Sequence, residues 1–163
     1  MTIIDKIIFP FTLFGALGSG LVAGIFFAFS NFVMTALARI QPVSGIAAMQ
    51  SINIVVLNPL FMFIFMGTAL ISIVFIMLGF TPWRSPNAVW LGIASVLYLG
   101  CFIITATVNV PLNDTLAAVD PNSVGVVETW RNYVEKWTLW NHVRTICSLA
   151  ASGAFVIAIW TEK

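Results

Sequence analysis

Four long apolar stretches dominate this chain, and three of them contain no charged residue. A helix needs about 20 mainly apolar residues to cross a bilayer core of about 30 Å, and each stretch is long enough. The first is too long for a signal-peptide core, so we expect it in the mature protein. The fourth carries one charge, Arg144, near its start. The pattern predicts four membrane-spanning helices, near residues 8–37, 55–79, 88–109 and 143–160.

Polarity is concentrated between the third and fourth stretches. Seven of the thirteen charged residues lie from Asp114 to Arg144, together with the only histidine, His142. We expect residues 110–142 to form a polar loop and then an interfacial helix that starts near Val124. The sequence thus predicts an all-α, four-helix transmembrane bundle with a short interfacial helical extension leading into the fourth span. We expect a single membrane domain over residues 1–163.

Composition places the chain among integral, multi-pass membrane proteins. Hydrophobic residues make up 60% of the 163 residues and charged residues only 8%, whereas soluble domains carry about 25% charged residues. The net charge is +1, which provides no basic stripe to neutralise phosphates, so nucleic acid is not expected as a partner. Membrane lipid is the expected surrounding partner.

The first span contains small residues at a spacing of four: Ala16, Gly20, Gly24 and Ala28. Such a ridge lets helices approach closely in lipid. It predicts close helix packing, either within the chain or between copies in a homo-oligomer through Gly20 and Gly24. Asn31 follows Gly24 by seven residues, so we expect it on the same buried ridge, where its amide needs a partner or lines a polar pocket.

A polar approach precedes the second span. Gln50 and Asn53 share one helical face, and Pro59 follows shortly after. Proline removes an amide donor and bends a helix, so a freed carbonyl is expected near Pro59. The pattern favours neither of two interpretations: the kink lines a polar cavity, or it is a kink without a functional role.

The third span ends in a cluster of amides and one acid. Asn109, Asn113 and Asp114 surround Pro111, which is expected to end the helix because proline cannot donate the next hydrogen bond. The polar side chains could then cap or bridge the segment that follows.

The helix entering the fourth span has two different faces. Successive residues of a helix are rotated by 100° about its axis. On this basis one face, within about 60° of Trp137, carries a stripe of aromatic residues that ends in polar ones, whereas His142 is rotated by about 140° from Trp137. An interfacial aromatic belt explains the tryptophans, and a ligand-binding wall is the alternative. The other members of the stripe are Trp130, Tyr133, Trp140, Asn141 and Arg144.

Arg144 is the residue that a simple aromatic belt explains least well. An arginine inside a span costs about 2.5–3.5 kcal/mol on insertion scales, so it is usually turned inward and paired. Asp114 is the nearest acid at a matching depth, and we therefore expect an Arg144–Asp114 contact.

Several chemistries lack the residues that they require. Cys101 and Cys147 form no Cys-x-x-Cys pair, which argues against a thiol oxidoreductase. One histidine and no carboxylate within the predicted spans argue against a non-haem metal centre. We therefore predict no metal and no cofactor. The alternatives are a haem- or quinone-binding membrane protein, with His142 as a haem ligand, or a non-enzymatic membrane subunit.

Four segments resemble the anthrone-oxygenase-like membrane family, and the likeness extends from about residue 15 to 158. The Asn-x-Pro-x-Asn and Trp-Asn-His-x-Arg elements are the most specific. The segments are Phe29-Ser30-Asn31-Phe32-Val33, Met49-Gln50-Ser51-Ile52-Asn53, Asn109-Val110-Pro111-Leu112-Asn113 and Trp137-Thr138-Leu139-Trp140-Asn141-His142-Val143-Arg144-Thr145.

The resemblance implies oxidation of a lipophilic aromatic phenol, such as an anthrone, by molecular oxygen without metal or flavin. It also implies a bacterial cytoplasmic (inner) membrane location. In this reading a base, His142 or Asp114, removes a ring proton, and Arg144 with the asparagines stabilises the enolate. Since His142 points away from Trp137, the working pair could instead be Arg144 and Asn141. The implied substrate-binding residues are Asn31, Asn53, Asn109, Asn113, Trp137, Trp140 and Asn141.

Overall fold

The computed structural model describes residues 3–81, 85–120 and 123–161. All regular structure within these ranges is helical, and two π turns (π1 and π2) interrupt the α-helices. The α-helices are α1 (Ile3–Ala28), α2 (Met34–Arg39), α3 (Pro42–Val55), α4 (Pro59–Gly79), α5 (Ala88–Ile104), α6 (Val110–Ala117) and α7 (Val126–Thr161); π1 is Phe29–Val33 and π2 is Thr105–Asn109.

Four helices are long and apolar enough to cross a membrane, which confirms the predicted four-helix transmembrane bundle. They are Ile7–Arg39, Pro59–Gly79, Ala88–Ala117 and Val126–Thr161. Two of these helices contain a π turn, because α1 continues through π1 into α2 and α5 continues through π2 into α6. The extension predicted before the fourth span is the first part of α7, a single helix of 36 residues.

Helix α7 is the centre of the bundle. It packs along α1 and α5, while α4 packs on α1 and α5. The short helix α3 lies against α7 and α6 at the polar end. There the Gln50 side-chain amide donates to the carbonyl oxygens of Leu116 (2.9 Å) and Val119 (3.2 Å) at the end of α6. This arrangement leaves a space between the first turns of α4 and the middle of α7.

Pro111 does not end the third span, contrary to the sequence prediction. The helix passes through it because π2 precedes it, with the Val110 amide bonded to the Thr105 carbonyl across the wider turn. A π turn contains one extra residue per turn, which accommodates the missing proline donor at the start of α6. Residues 110–117 are therefore helix rather than loop.

The predicted kink at Pro59 is also wrong, because Pro59 begins α4 instead of interrupting it. Proline is well tolerated at the first helical position, where its missing N–H has no helical partner. Asn58 caps the helix: its Oδ1 accepts from the Phe61 amide (3.0 Å), and its Nδ2 donates to the Val55 carbonyl (3.2 Å).

The small-residue ridge of α1 is only partly buried. Ala16 is buried, and its carbonyl accepts from the Ser152 hydroxyl of α7 at 2.9 Å. Gly24 and Asn31 are both exposed, and π1 interrupts the α-helical period between them. The prediction that Asn31 lies on a buried ridge is wrong, because α1 buries the neighbouring stripe that includes Phe26.

Gly45 of α3 packs against Trp130 of α7. A Cβ there would lie 2.8 Å from the Trp130 ring and 3.1 Å from the Leu37 carbonyl oxygen. Gly45→Ala is therefore expected to lower the thermal stability, since overpacking costs about 1–3 kcal/mol. Gly100→Ala is the control: nothing lies within 4 Å of its Cβ position, so the helix propensity of alanine should leave stability unchanged or higher. Equal melting temperatures for both variants in detergent would contradict this packing.

Candidate functional site

A cavity of about 600 Å³ lies in the space between α4 and α7. Its volume is within the range of small-molecule sites, and nearly half of its lining residues are phenylalanine, methionine or isoleucine. The cavity is lined by residues of both π turns and of α1, α3, α4, α5, α6 and α7. Its polar lining residues and its one tryptophan are Gln50, Asn53, Thr105, Asn113, Asp114, Trp137 and Arg144.

Arg144 brings a positive charge to this apolar cavity. The residue is only 4% exposed, and its guanidinium lies 4.1 Å from the Phe26 ring centroid and 4.9 Å from that of Trp137. Aromatic faces attract such cations. Its Nη2 donates to the Asn141 Oδ1 at 2.6 Å and its Nη1 to the Thr105 hydroxyl at 3.4 Å, while Nε has no partner.

The predicted Arg144–Asp114 contact is absent. Within the described ranges the ion pair found is Arg131–Glu128, on the exposed side of α7. The α5–π2–α6 helix meets Arg144 at Thr105, and Asp114 lies about 13 Å further along the same axis at 1.5 Å per residue. Because the helix continues through Pro111 instead of turning back, it carries Asp114 away from Arg144. The arginine is thus a buried cation without an acidic partner in the described chain.

The two π turns contact the pair formed by Arg144 and Asn141. From π2, Thr105 contacts the guanidinium, and Asn109 donates to the Trp137 carbonyl at 3.2 Å. From π1, the Ser30 hydroxyl accepts from the Asn141 amide at 2.8 Å. Single π turns often occur at functional sites because they disrupt the regular hydrogen bonds of the helix. Their pairing here supports the cavity end near Arg144 as the reactive region.

Asn141 holds Arg144 in place from behind the cavity. It is fully buried, and its Nδ2 donates to the Phe26 carbonyl at 2.7 Å and to the Ser30 hydroxyl, while its Oδ1 accepts from Arg144. All three bonds fix its orientation, and it does not line the cavity. Asn141 is therefore a positioning residue, which places the guanidinium rather than touching a ligand.

Asn141→Ala is expected to destabilise the protein by about 1–3 kcal/mol, because it leaves the Phe26 carbonyl and an Arg144 N–H buried without partners. The control is Asn132→Ala in the same helix. The Asn132 amide reaches only the exposed Glu128 carboxylate, at 3.2 Å, so its loss should be nearly neutral. Melting temperatures in detergent measure both, and equal effects of the two substitutions would contradict the positioning role.

Asn113 and Asn53 present amide groups to the cavity. The Asn113 Oδ1 accepts from the Tyr133 hydroxyl at 2.9 Å and from the Trp137 Nε1 at 2.8 Å. With its oxygen occupied twice, the Asn113 NH₂ group is left as a donor. The Asn53 Nδ2 is buried without a hydrogen-bond partner. The Arg144 Nε is likewise buried without a partner, so two of the residues that line the cavity hold an unsatisfied donor beneath its surface.

Five of the predicted site residues, Asn141 among them, do not line the cavity. Asn31 and His142 are exposed, and Trp140 is 38% exposed. His142 lies on the outer face because of its rotation from Trp137, and the buried stripe of α7 runs through Asn141 instead of Trp140. Asn109 is buried behind the cavity, where its bond to the Trp137 carbonyl joins π2 to α7.

Sequence reasoning missed several lining residues. Thr105 was not distinguished from other hydroxyls in the spans, although its hydroxyl bridges the Cys101 carbonyl (2.9 Å) and Arg144. The aromatic residues and methionines that line the cavity cannot be distinguished by sequence from the other apolar residues, because the chain is apolar nearly throughout. They include Phe26, Phe29, Met49, Phe61, Met62, Phe65, Met66 and Phe102.

A sequence model of the family described as anthrone oxygenase matches residues 61–154. The matched segment is more than half of the chain and carries Thr105, Asn113, Asp114, Trp137 and Arg144, whereas Asn53 lies before it. No curated protein and no solved structure matches the chain.

Proposed function

This chain belongs to the anthrone oxygenase family, and we propose from that membership that it is a membrane-embedded oxygenase acting on a lipophilic aromatic phenol such as an anthrone. We propose further that it needs no bound cofactor. The observation that carries the proposal is the buried Arg144 guanidinium, which faces an apolar cavity without an acidic partner in the described chain.

An unpaired buried cation is costly, and it becomes favourable when a ligand supplies the negative charge. A flat aromatic molecule suits the walls, and an enolate oxygen suits the donors of Arg144. Preorganised donors in a water-poor site stabilise developing negative charge much better than water does. The cavity is therefore built for a substrate that is apolar overall but becomes an oxyanion during the reaction.

The proposed reaction converts a ring methylene to a carbonyl. A base removes one methylene hydrogen as a proton, and the electron pair delocalises onto the ring oxygen as an enolate. The enolate is oxidised by O₂, and a C–O bond forms to give a peroxide anion. The second hydrogen then moves as a proton to the terminal peroxide oxygen while the O–O bond breaks, which releases a ketone and hydroxide. Hydroxide takes the proton from the base, so one O₂ yields one quinone and one water.

The roles of the residues follow from their positions. Arg144 binds the enolate oxygen, and Asn53 with Asn113 provides further amide donors. Asp114 is the carboxylate that lines the cavity, so we assign it the role of the base. His142 lies on the exposed face of α7, which places its imidazole outside the cavity.

Oxygen uptake by the purified protein with anthrone tests the proposal. We expect uptake far above the protein-free detergent rate, with one O₂ consumed per anthraquinone formed. Uptake no faster than in empty micelles, measured on protein that melts cooperatively, would contradict the proposed activity. A redox-dependent Soret band in the same preparation would contradict the cofactor-free mechanism.

A further inference from the structure

The cavity has an opening between α4 and the α5–α6 helix. Met66 of α4 lines the cavity and is 47% exposed, and Val110 of α6 lines it and is 42% exposed. Ala106 in π2 lies between them on the cavity lining and is also exposed. Residues that line a cavity and are exposed at the same time form its rim, so the cavity communicates with the surroundings at this place.

The inner wall of the opening is aromatic. The Phe65 ring stacks on Phe61 with centroids 5.6 Å apart and on Phe102 with centroids 5.2 Å apart. These rings join α4 to α5 behind the rim and leave a flat apolar surface along the cavity. A planar polycyclic molecule can slide along such a surface with its ring faces covered.

The opening lies at one face of the hydrocarbon core. Met66 is about 20 Å from the Gly79 end of α4, and Ala106 and Val110 are about 27 Å and about 33 Å from the Ala88 end of α5, at 1.5 Å per residue. Met66 and Ala106 thus fall within a bilayer core of about 30 Å, in helices that are membrane spans, and Val110 lies just beyond it. The exposed neighbours Ile73 and Ile103 continue the same apolar outer surface. The rim therefore faces lipid.

We propose that ligands reach the cavity laterally from the bilayer, through the opening bounded by Met66, Ala106 and Val110. This proposal rests on the proposed function, and it narrows the substrate to polycyclic aromatic molecules that dissolve in the membrane and carry one ionisable oxygen. The charge of Arg144 selects the oxygen end, and the aromatic wall orients the ring system. The cavity has further rims, one at the exposed Ile54 and Leu57 near the end of α3 and one at the exposed Asp114 and Ala117 in α6. In this proposal the rim at Asp114 serves the proton.

The test uses 9-anthracenemethanol, a neutral fluorescent tricyclic alcohol that dissolves in lipid and whose binding requires no turnover. Energy transfer from tryptophan reports its association with the protein in lipid vesicles by stopped flow. Ala106→Trp and Met66→Trp are each expected to slow association at least about tenfold. Ile73→Trp, on the lipid face outside the cavity, is the matched control and should not change the rate. Ala117→Trp narrows only the rim at Asp114 and should also leave it unchanged.

Slowing by Ala117→Trp with unchanged rates for Ala106→Trp and Met66→Trp would overturn lateral access. Unchanged rates in all three variants would overturn it as well. Because the assay measures binding alone, lateral access stands if the probe enters at the lipid rim but anthrone is not oxidised, and in that case only the proposed reaction fails. Melting temperatures equal to that of the wild type verify that the variants are folded.

Discussion

Arg144→Met is expected to abolish oxygen uptake while changing the stability of the protein little. Removing a donor to a developing oxyanion lowers the rate about 100–1,000-fold, and methionine supplies neither charge nor donor. Stability should change much less than activity. The relief from burying a charge without an acidic partner offsets the lost hydrogen bond to the Asn141 Oδ1 and the lost contacts with the Phe26 and Trp137 rings.

The two readouts separate a functional arginine from a structural one. Arg131→Met is the matched control, since Arg131 lies on the exposed face of α7 in an ion pair with Glu128. It should keep both activity and melting temperature. Full activity of Arg144→Met would remove Arg144 from the site. A large fall in its melting temperature would instead show that the guanidinium mainly holds α1, α5 and α7 together.

Asp114→Asn is the second substitution with a large expected effect. A positioned base contributes about 100–10,000-fold to proton transfer, and asparagine keeps the shape of the side chain without its basicity. Oxygen uptake should fall by at least about 100-fold with little change in stability, because Asp114 is exposed at the cavity rim.

His142→Ala is the matched control, because it removes the other candidate base named by the sequence. His142 is exposed and does not line the cavity, so turnover should be retained within about twofold of the wild type. Loss of turnover in His142→Ala together with full activity in Asp114→Asn would reverse the assignment of the base.

The fold was predictable because hydrophobicity alone specifies membrane spans. Charge-free stretches and the length that a bilayer demands identify the four helices, and the helical period identifies the buried stripe of α7. The ends of the spans were not predictable in this way. Pro111 is a helix breaker by its chemistry, and only the π turn before it shows that the helix continues.

The π turns also explain which site residues sequence reasoning could place. Trp137, Asn141 and Arg144 lie on an uninterrupted helix, so their common face follows from a rotation of 100° per residue. Asn31 lies in π1, and whether it is buried depends on which side of α1 packs against α7. The spacing of residues within α1 does not show which side that is. The distance between Arg144 and Asp114 likewise depends on the course of a different helix.

The central claim is that the cavity stabilises the anion of its substrate through Arg144. The most direct test is the absorption spectrum of anthrone mixed with the protein under argon, at a pH at which free anthrone is neutral. We predict that the wild type shows the spectrum of the enolate, which decays when O₂ is admitted, and that Arg144→Met leaves anthrone neutral. A neutral spectrum with the wild type, or an equal amount of enolate with Arg144→Met, would contradict the account.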